Sequence, residues 1–173
     1  MTSVPPPPIA VTADGSPSGA ATGAPGIVGP ADRVAFVLAT WFGFGLSKIA
    51  PGTCGALGAV PLHYLLVRLP IEQHVLVIVL ISAIGTWAAH RVAMALKMED
   101  PQLVVIDEVA GVLIAMAAVR DFGTVAAVAA FVLFRFFDIT KPGPIRRAEH
   151  LPPAGFGIMA DDLLAGVAAA VVA

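Results

Sequence analysis

The sequence has little charge and a single cysteine in its 173 residues. Only 13% of the residues are charged, against about 25% in an ordinary soluble domain, and 58% are hydrophobic. With a mean hydropathy of +0.89, the composition excludes general disorder and argues against a water-soluble globule. A net charge of −2 provides no basic surface, which excludes nucleic acid as a partner. Because Cys54 stands alone, neither an internal disulfide nor a cysteine-based zinc site can form.

The first thirty residues also lack the basic segment that opens a secretory signal peptide, since the first basic residue is Arg33. Met1–Pro30 instead holds seven of the fifteen prolines and five glycines. Such a segment cannot bury enough apolar surface to offset its chain entropy. The sequence therefore predicts a disordered tail over residues 1–30 and one domain over residues 31–173.

Strand-like alternation and internal repeats are both missing, which predicts an all-α domain. We expect about five or six helices in a compact, orthogonal, membrane-associated bundle. The clearest candidate for a membrane span is Ile71–Leu96, where the uncharged stretch of 18 residues between Glu72 and Arg91 makes about 27 Å of helix. The last helix is predicted over Ala160–Ala173. Its uncharged part, Leu163–Ala173, is too short to span, so part of the bundle should be re-entrant or interfacial.

Most acidic residues fall in short clusters at the ends of apolar segments. These acids are Asp107, Glu108, Asp138, Asp161 and Asp162. Carboxylates that converge in a dry place stay ionised only beside a cation or a basic partner, and hard oxygen ligands favour Mg²⁺. Two alternatives remain open. Asp161 and Asp162 could cap a helix, and one of the adjacent pair Asp107 and Glu108 could be solvated.

Basic residues cluster between Arg135 and Arg147, and here too the residues permit two interpretations. Arg135, Lys141 and Arg146 suit a phosphate clamp. Alternatively, Arg135 pairs with Asp138 and the rest form a cytoplasmic loop of the positive-inside type. His150, beside this segment, is a more remote candidate for a role in the site.

A glycine-rich segment, Pro51–Gly55, precedes an apolar stretch that is predicted to be helical from Leu57. Its backbone N–H groups and the hydroxyl of Thr53 could receive an anion, with Gly52 and Gly55 allowing close approach. Thr53 as a plain helix cap is the alternative.

Four groups of motifs occur in one order between Ala31 and Ala173. They are Gly43-Phe44-Gly45-Leu46-Ser47 with Pro51-Gly52-Thr53-Cys54-Gly55; Asp100-Pro101 with Val105-Ile106-Asp107-Glu108 and Gly111; Phe134-Arg135 with Phe136 to Arg146; and Gly155 to Met159 with Asp161 to Gly166. Together they resemble the phosphatidylglycerophosphatase A family of bacterial lipid phosphatases. The chain departs from the family pattern at Lys48 (usually proline), Ala56 (often serine), Glu149 (usually aspartate) and Leu151-Pro152-Pro153-Ala154.

The resemblance implies an all-α enzyme of the bacterial cytoplasmic (inner) membrane, with its active site on the cytoplasmic face. It implies Mg²⁺-dependent removal of phosphate from phosphatidylglycerophosphate, an anionic phospholipid, to give phosphatidylglycerol. On this interpretation the five acids hold one or two Mg²⁺ ions and orient a water. The remaining candidates bind the phosphate: Gly52, Thr53, Gly55, Arg135, Lys141 and Arg146.

Two other classes of protein make different predictions. A small transporter or channel subunit with an acidic relay would spread its acids along a path across the bilayer. A non-catalytic lipid-binding protein of the same fold would use the acids only as caps and show no metal dependence. An enzyme should bring the acids together on one face.

Overall fold

The regular structure of the chain is entirely helical in the computed structural model, which describes residues 26–27 and 29–173. Seven α-helices and one 3₁₀ turn, Phe44–Leu46, occur in these residues, with no strand among them. The α-helices are α1 (Pro30–Ala39), α2 (Pro51–Leu66), α3 (Ile71–Leu96), α4 (Ile106–Ala118), α5 (Gly123–Thr140), α6 (Pro144–Ala148) and α7 (Ala154–Val172). The all-α prediction is confirmed, although the helices are more numerous than expected. The predicted tail, residues 1–30, lies almost wholly outside the described residues.

Two helices begin earlier in the chain than predicted. As a result, candidate site residues that were expected before or at the start of a helix lie within one. Helix α2 begins at Pro51, because the fixed φ of proline and its missing N–H suit the first helical position. Helix α7 begins at Ala154 rather than Ala160. Asp161 and Asp162 therefore lie in the body of α7, and the alternative in which they only cap a helix is wrong.

Helix α4 lies at the centre of the bundle and packs against α2, α3, α5 and α7. Most of its residues are buried. The crossing with α7 is close because Gly111 and Gly166 meet there, and a Cβ on Gly166 would overlap the Gly111 carbonyl oxygen. A Cβ on Gly111 would lie 2.6 Å from the carbonyl oxygen of Asp162. Two glycines thus let the backbones of α4 and α7 touch at the turn that carries Asp162.

Three helices, α3, α5 and α7, are long and apolar enough to cross a membrane. Large apolar side chains such as Val125, Ile139 and Val171 are exposed on them, which fits contact with lipid. Ile71–Leu96, the clearest candidate span in the sequence, is thus one of three. The expectation of a short last helix is wrong, because α7 extends over 19 residues. Fold and composition together indicate a membrane-associated protein.

Candidate active site

One cavity of about 770 Å³ opens where the N-termini of α2 and α4 meet the C-terminus of α5 and the first half of α7. Its lining brings together all five predicted acids and four of the six predicted phosphate-binding residues. These are Asp107, Glu108, Asp138, Asp161 and Asp162, with Gly52, Thr53, Arg135 and Lys141. The acids therefore cluster in one place, as an enzyme requires, and do not form a path across the bundle.

Three of the acids are close enough to share a cation. Carboxylate oxygens of Asp107, Glu108 and Asp162 all lie within 4.8 Å of one another. Asp107 and Asp162 are buried, and Asp107 Oδ1 accepts a hydrogen bond from the backbone N–H of Glu108 at 3.0 Å. Glu108 Oε2 is buried and accepts no hydrogen bond. This oxygen, which has no hydrogen-bond partner, lies beside oxygens of two other carboxylates. Such a set of oxygen ligands is what a hard divalent cation prefers.

Electrostatics at the start of α4 support the same interpretation. Burial raises the pKa of Asp107 well above its usual range, and the neighbouring carboxylate of Glu108 raises it further. Burial also raises the pKa of Glu108, although Arg135 opposes this shift. Acids at a helix N-terminus are normally favoured by the helix dipole. Here burial and mutual repulsion outweigh that benefit and make the ionised carboxylates unfavourable. A cation between them would offset this unfavourable free energy.

Arg135 joins this group from α5. Its Nη1 donates to Asp138 Oδ2 at 2.5 Å, three residues further along the same helix. The pairing expected from the sequence is therefore present, yet both residues also line the cavity. Arg135 Nε is buried and donates no hydrogen bond, which leaves part of the guanidinium free for an anion.

Lys141 follows the end of α5 and forms a second ion-pair group. Its Nζ donates to Asp161 Oδ2 at 2.6 Å and lies 3.2 Å from Glu149 Oε2. Burial lowers the pKa of Lys141, but these two pairs outweigh it and hold the pKa above the usual value. Lys141 is therefore a permanent positive charge at the cavity. Asp161 Oδ1, in contrast, is buried and accepts no hydrogen bond.

Gly52 lies in the first turn of α2, where backbone N–H groups have no partner within the helix. A Cβ at this position would overlap Glu108 Oε1 and lie 3.4 Å from Arg135 Nη1. Glycine therefore lets the start of α2 approach the acids and Arg135 directly. The predicted loop before a helix is instead the helix start itself, with Ala50 in the capping position and no side-chain cap, so Thr53 is not the cap.

Two predicted phosphate-binding residues lie elsewhere. Gly55 faces Val105, where a Cβ would lie 2.5 Å from the Val105 Cβ, so this glycine serves the packing of α2 on α4. Arg146 is exposed on α6 and is not among the residues that line the cavity. Its role in phosphate binding stays a prediction.

The cavity also contains residues that the sequence did not single out as functional. Glu149 pairs with Lys141, and Asp100 and Gln102 lie on the lining. Both acids could have been found, because Asp100 opens one of the four motif groups and Glu149 takes a position usually held by aspartate. His150, the remote candidate, lies on the lining as well.

Comparison with known proteins agrees with this geometry. Residues 37–173 match the family model described as Phosphatidylglycerophosphatase A. Phosphatidylglycerophosphatase A of Escherichia coli is 42% identical over 136 residues, covering 78% of this chain and 78% of that protein. The Haemophilus influenzae protein of the same name is 38% identical over 137 residues, covering 79% and 84%.

A third relative carries a different name. It comes from Bacteroides thetaiotaomicron, is provisionally named a phosphatidylinositol-3-phosphatase, and is 41% identical over 138 residues, covering 76% of this chain and 86% of its own. No solved structure matches the chain.

Proposed function

Since the chain belongs to the phosphatidylglycerophosphatase A family and is therefore a membrane-associated lipid phosphatase, we propose that it hydrolyses phosphatidylglycerophosphate to phosphatidylglycerol and inorganic phosphate with Mg²⁺ as cofactor. One observation carries the proposal: a trio of carboxylates lies in the same cavity as Arg135 and Lys141. Acids that can hold a cation and bases that can hold a phosphate are what phosphoryl transfer needs, because its catalysis consists mainly of positioning and charge stabilisation.

Asp107, Glu108 and Asp162 would hold the ion. When bound, Mg²⁺ supplies Lewis-acid polarisation of the phosphate oxygens. Arg135 and Lys141 would neutralise charge on the phosphoryl group as it transfers, and the free N–H groups at the start of α2 would add donors. Asp161 would orient the attacking water through its free Oδ1, while Lys141 fixes the other oxygen of that carboxylate.

The position of the cavity suits a lipid substrate. It lies at one end of the bundle, near helices α5 and α7, whose apolar surfaces would accept acyl chains while the phosphate enters between the charged helix ends. We place this end at the cytoplasmic face of the bacterial inner membrane. The basic residues Lys141, Arg146 and Arg147 at the same end support that orientation under the positive-inside rule.

Phosphate release by the purified full chain in detergent micelles tests the reaction. We expect release from phosphatidylglycerophosphate with excess Mg²⁺, and a fall of at least about a hundredfold when a chelator removes the ion. Mg²⁺ should also raise the thermal unfolding midpoint, because a ligand that binds only the folded state stabilises it.

Phosphatidylinositol 3-phosphate serves as the competing substrate in the same assay, since one relative is provisionally named for it. Faster release from this lipid than from phosphatidylglycerophosphate would overturn the substrate assignment. Undiminished release in chelator would overturn the assignment of the metal.

Gly52→Ala tests the close approach of α2 to the acids. The added Cβ must displace Glu108 Oε1, so we expect kcat to fall at least about tenfold. The free energy of unfolding should change by less than about 1 kcal/mol, because alanine favours the helix and the displaced atom ends a flexible side chain. Cys54→Ala, in the same turn but off the cavity lining, is the control and should keep its activity. A fully active Gly52→Ala enzyme would contradict the proposed geometry.

A further inference from the structure

A second cavity of about 600 Å³ lies directly beside the active site. Pro51 and Gln102 line both cavities, so the two spaces are neighbours across a shared wall. The second cavity has a different character, because apolar side chains such as Leu46, Met98 and Leu103 line it and it contains none of the five acids.

Among the described residues that line this second cavity, Lys48 is the one with a charged side chain. It is exposed, and within residues 29–173 no acidic side chain forms an ion pair with it. The loop that carries it is ordered by its own hydrogen bonds, since Ser47 Oγ donates to the Ile49 carbonyl at 2.9 Å and accepts from the Ile49 N–H at 3.3 Å. The backbone that carries this unpaired cation is thus ordered, and the residue lies on an apolar wall.

The surface around Lys48 is strongly apolar and exposed. Ile49 is 82% exposed, and Phe42, Phe44 and Leu46 also present large apolar side chains to the surroundings. In a protein that associates with membranes, such a patch lies in the headgroup region or the outer acyl region of the lipid. An apolar wall with one lysine fits a molecule that is anionic at one point and hydrocarbon beyond it.

We propose that Lys48 binds the phosphodiester of the substrate lipid while the active site holds its terminal phosphate monoester. The first part of an acyl chain then lies along Leu46 and Met98. This inference rests on the proposed function, because phosphatidylglycerophosphate carries two phosphates separated by one glycerol unit. The two adjacent cavities provide cationic side chains for both phosphates: Arg135 and Lys141 for the monoester, and Lys48 for the diester. Lys48 thereby selects lipid substrates over small phosphate monoesters.

Lys48→Gln, Lys48→Arg and the control Arg33→Gln test the assignment with a short-chain phosphatidylglycerophosphate and with glycerol 3-phosphate, which has no diester. We expect Lys48→Gln to raise KM for the lipid about five- to tenfold with kcat nearly constant, and Lys48→Arg to restore KM. The loss should be confined to the diester-bearing substrate. Arg33 is exposed and lines neither cavity, so Arg33→Gln should match the wild-type enzyme and rule out a general effect of surface charge.

A binding titration with short-chain phosphatidylglycerol, which retains the diester but not the monoester, needs no turnover. We expect Lys48→Gln to weaken its binding by a similar factor and to leave inhibition by inorganic phosphate unchanged. Equal KM values for both lysine variants and the wild type, or equal losses on the lipid and on glycerol 3-phosphate, would overturn the role of Lys48. If the wild type released no phosphate from the lipid, the proposed function would fail, while the titration would still decide on Lys48.

Discussion

Asp162→Asn is expected to reduce kcat by about a thousandfold, because it removes a buried carboxylate that we propose as a metal ligand. Asparagine has nearly the same shape as aspartate, and position 162 lies in the middle of α7, so we expect the variant to fold. Without metal, the variant should even unfold at a higher temperature than the wild type, since one of three repelling acids is gone. It should also lose most of the stabilisation that Mg²⁺ gives to the wild type.

The measurements are steady-state turnover of phosphatidylglycerophosphate and thermal unfolding with Mg²⁺ and with chelator. Asp121→Asn provides the matched control, because the Asp121 side chain is 84% exposed and lies off the cavity lining. We expect this control to behave like the wild type in both measurements. Full turnover in Asp162→Asn, or an unchanged response to Mg²⁺, would remove Asp162 from the metal site.

Gly166→Ala should have the largest effect on stability. Its Cβ would overlap the carbonyl oxygen of Gly111, and that atom belongs to the backbone of the central helix, so the neighbour cannot rotate away. Helices α4 and α7 must separate, and we expect a loss of about 3 kcal/mol in the free energy of unfolding. Because Asp107 is on α4 and Asp162 on α7, the same separation should weaken metal binding.

Chemical denaturation in detergent, combined with a Mg²⁺ titration of the folded fraction, measures both effects. Val167→Leu adds a methylene at an exposed position next to Gly166, and we expect it to cost less than about 0.5 kcal/mol. If Gly166→Ala were as stable as this control, the close contact between α4 and α7 would not be a determinant of the fold.

The sequence was sufficient to single out the acidic residues that the structure brings together in one cavity. Asp107, Asp138 and Asp162 are far apart in the chain, but each interrupts an apolar segment, where an ionised side chain is costly without a partner. That cost singles out the same acids that line the cavity. Composition and periodicity also predicted the helical fold, because no segment shows the alternation of apolar and polar residues that is typical of a strand.

Helix boundaries near the site were harder to predict, because glycine has two physical uses. The last helix was predicted to begin at Ala160, after Gly155 and Gly157, yet both glycines lie in the first turn of α7. A Cβ on Gly155 would overlap the Thr86 carbonyl oxygen, and one on Gly157 would lie 2.5 Å from the Glu149 carbonyl oxygen. These glycines serve close packing against other segments, and only the tertiary structure distinguishes that use from a turn.

The ion pair between Glu149 and Lys141 could not be predicted, although the motif position of Glu149 was visible in the sequence. Glu149 forms its pair with Lys141 across a segment that contains the short helix α6. The sequence predicted only a loop there, so it offered no geometry that would bring the two side chains together. Arg146, conversely, has the right chemistry in the right motif but is carried to the surface by the same helix.

The contact between Gly111 and Gly166 lies at the same helix junction as the proposed ion site. Three mutually repelling carboxylates lie at the junction of α4 and α7, which the two glycines hold together. If the site binds Mg²⁺ as we propose, binding of the ion and closure of this junction are thermodynamically coupled, because the ion binds only when the two helices are together. The apo bundle would then open more often, so a cell short of magnesium would lose folded enzyme to proteolysis as well as turnover.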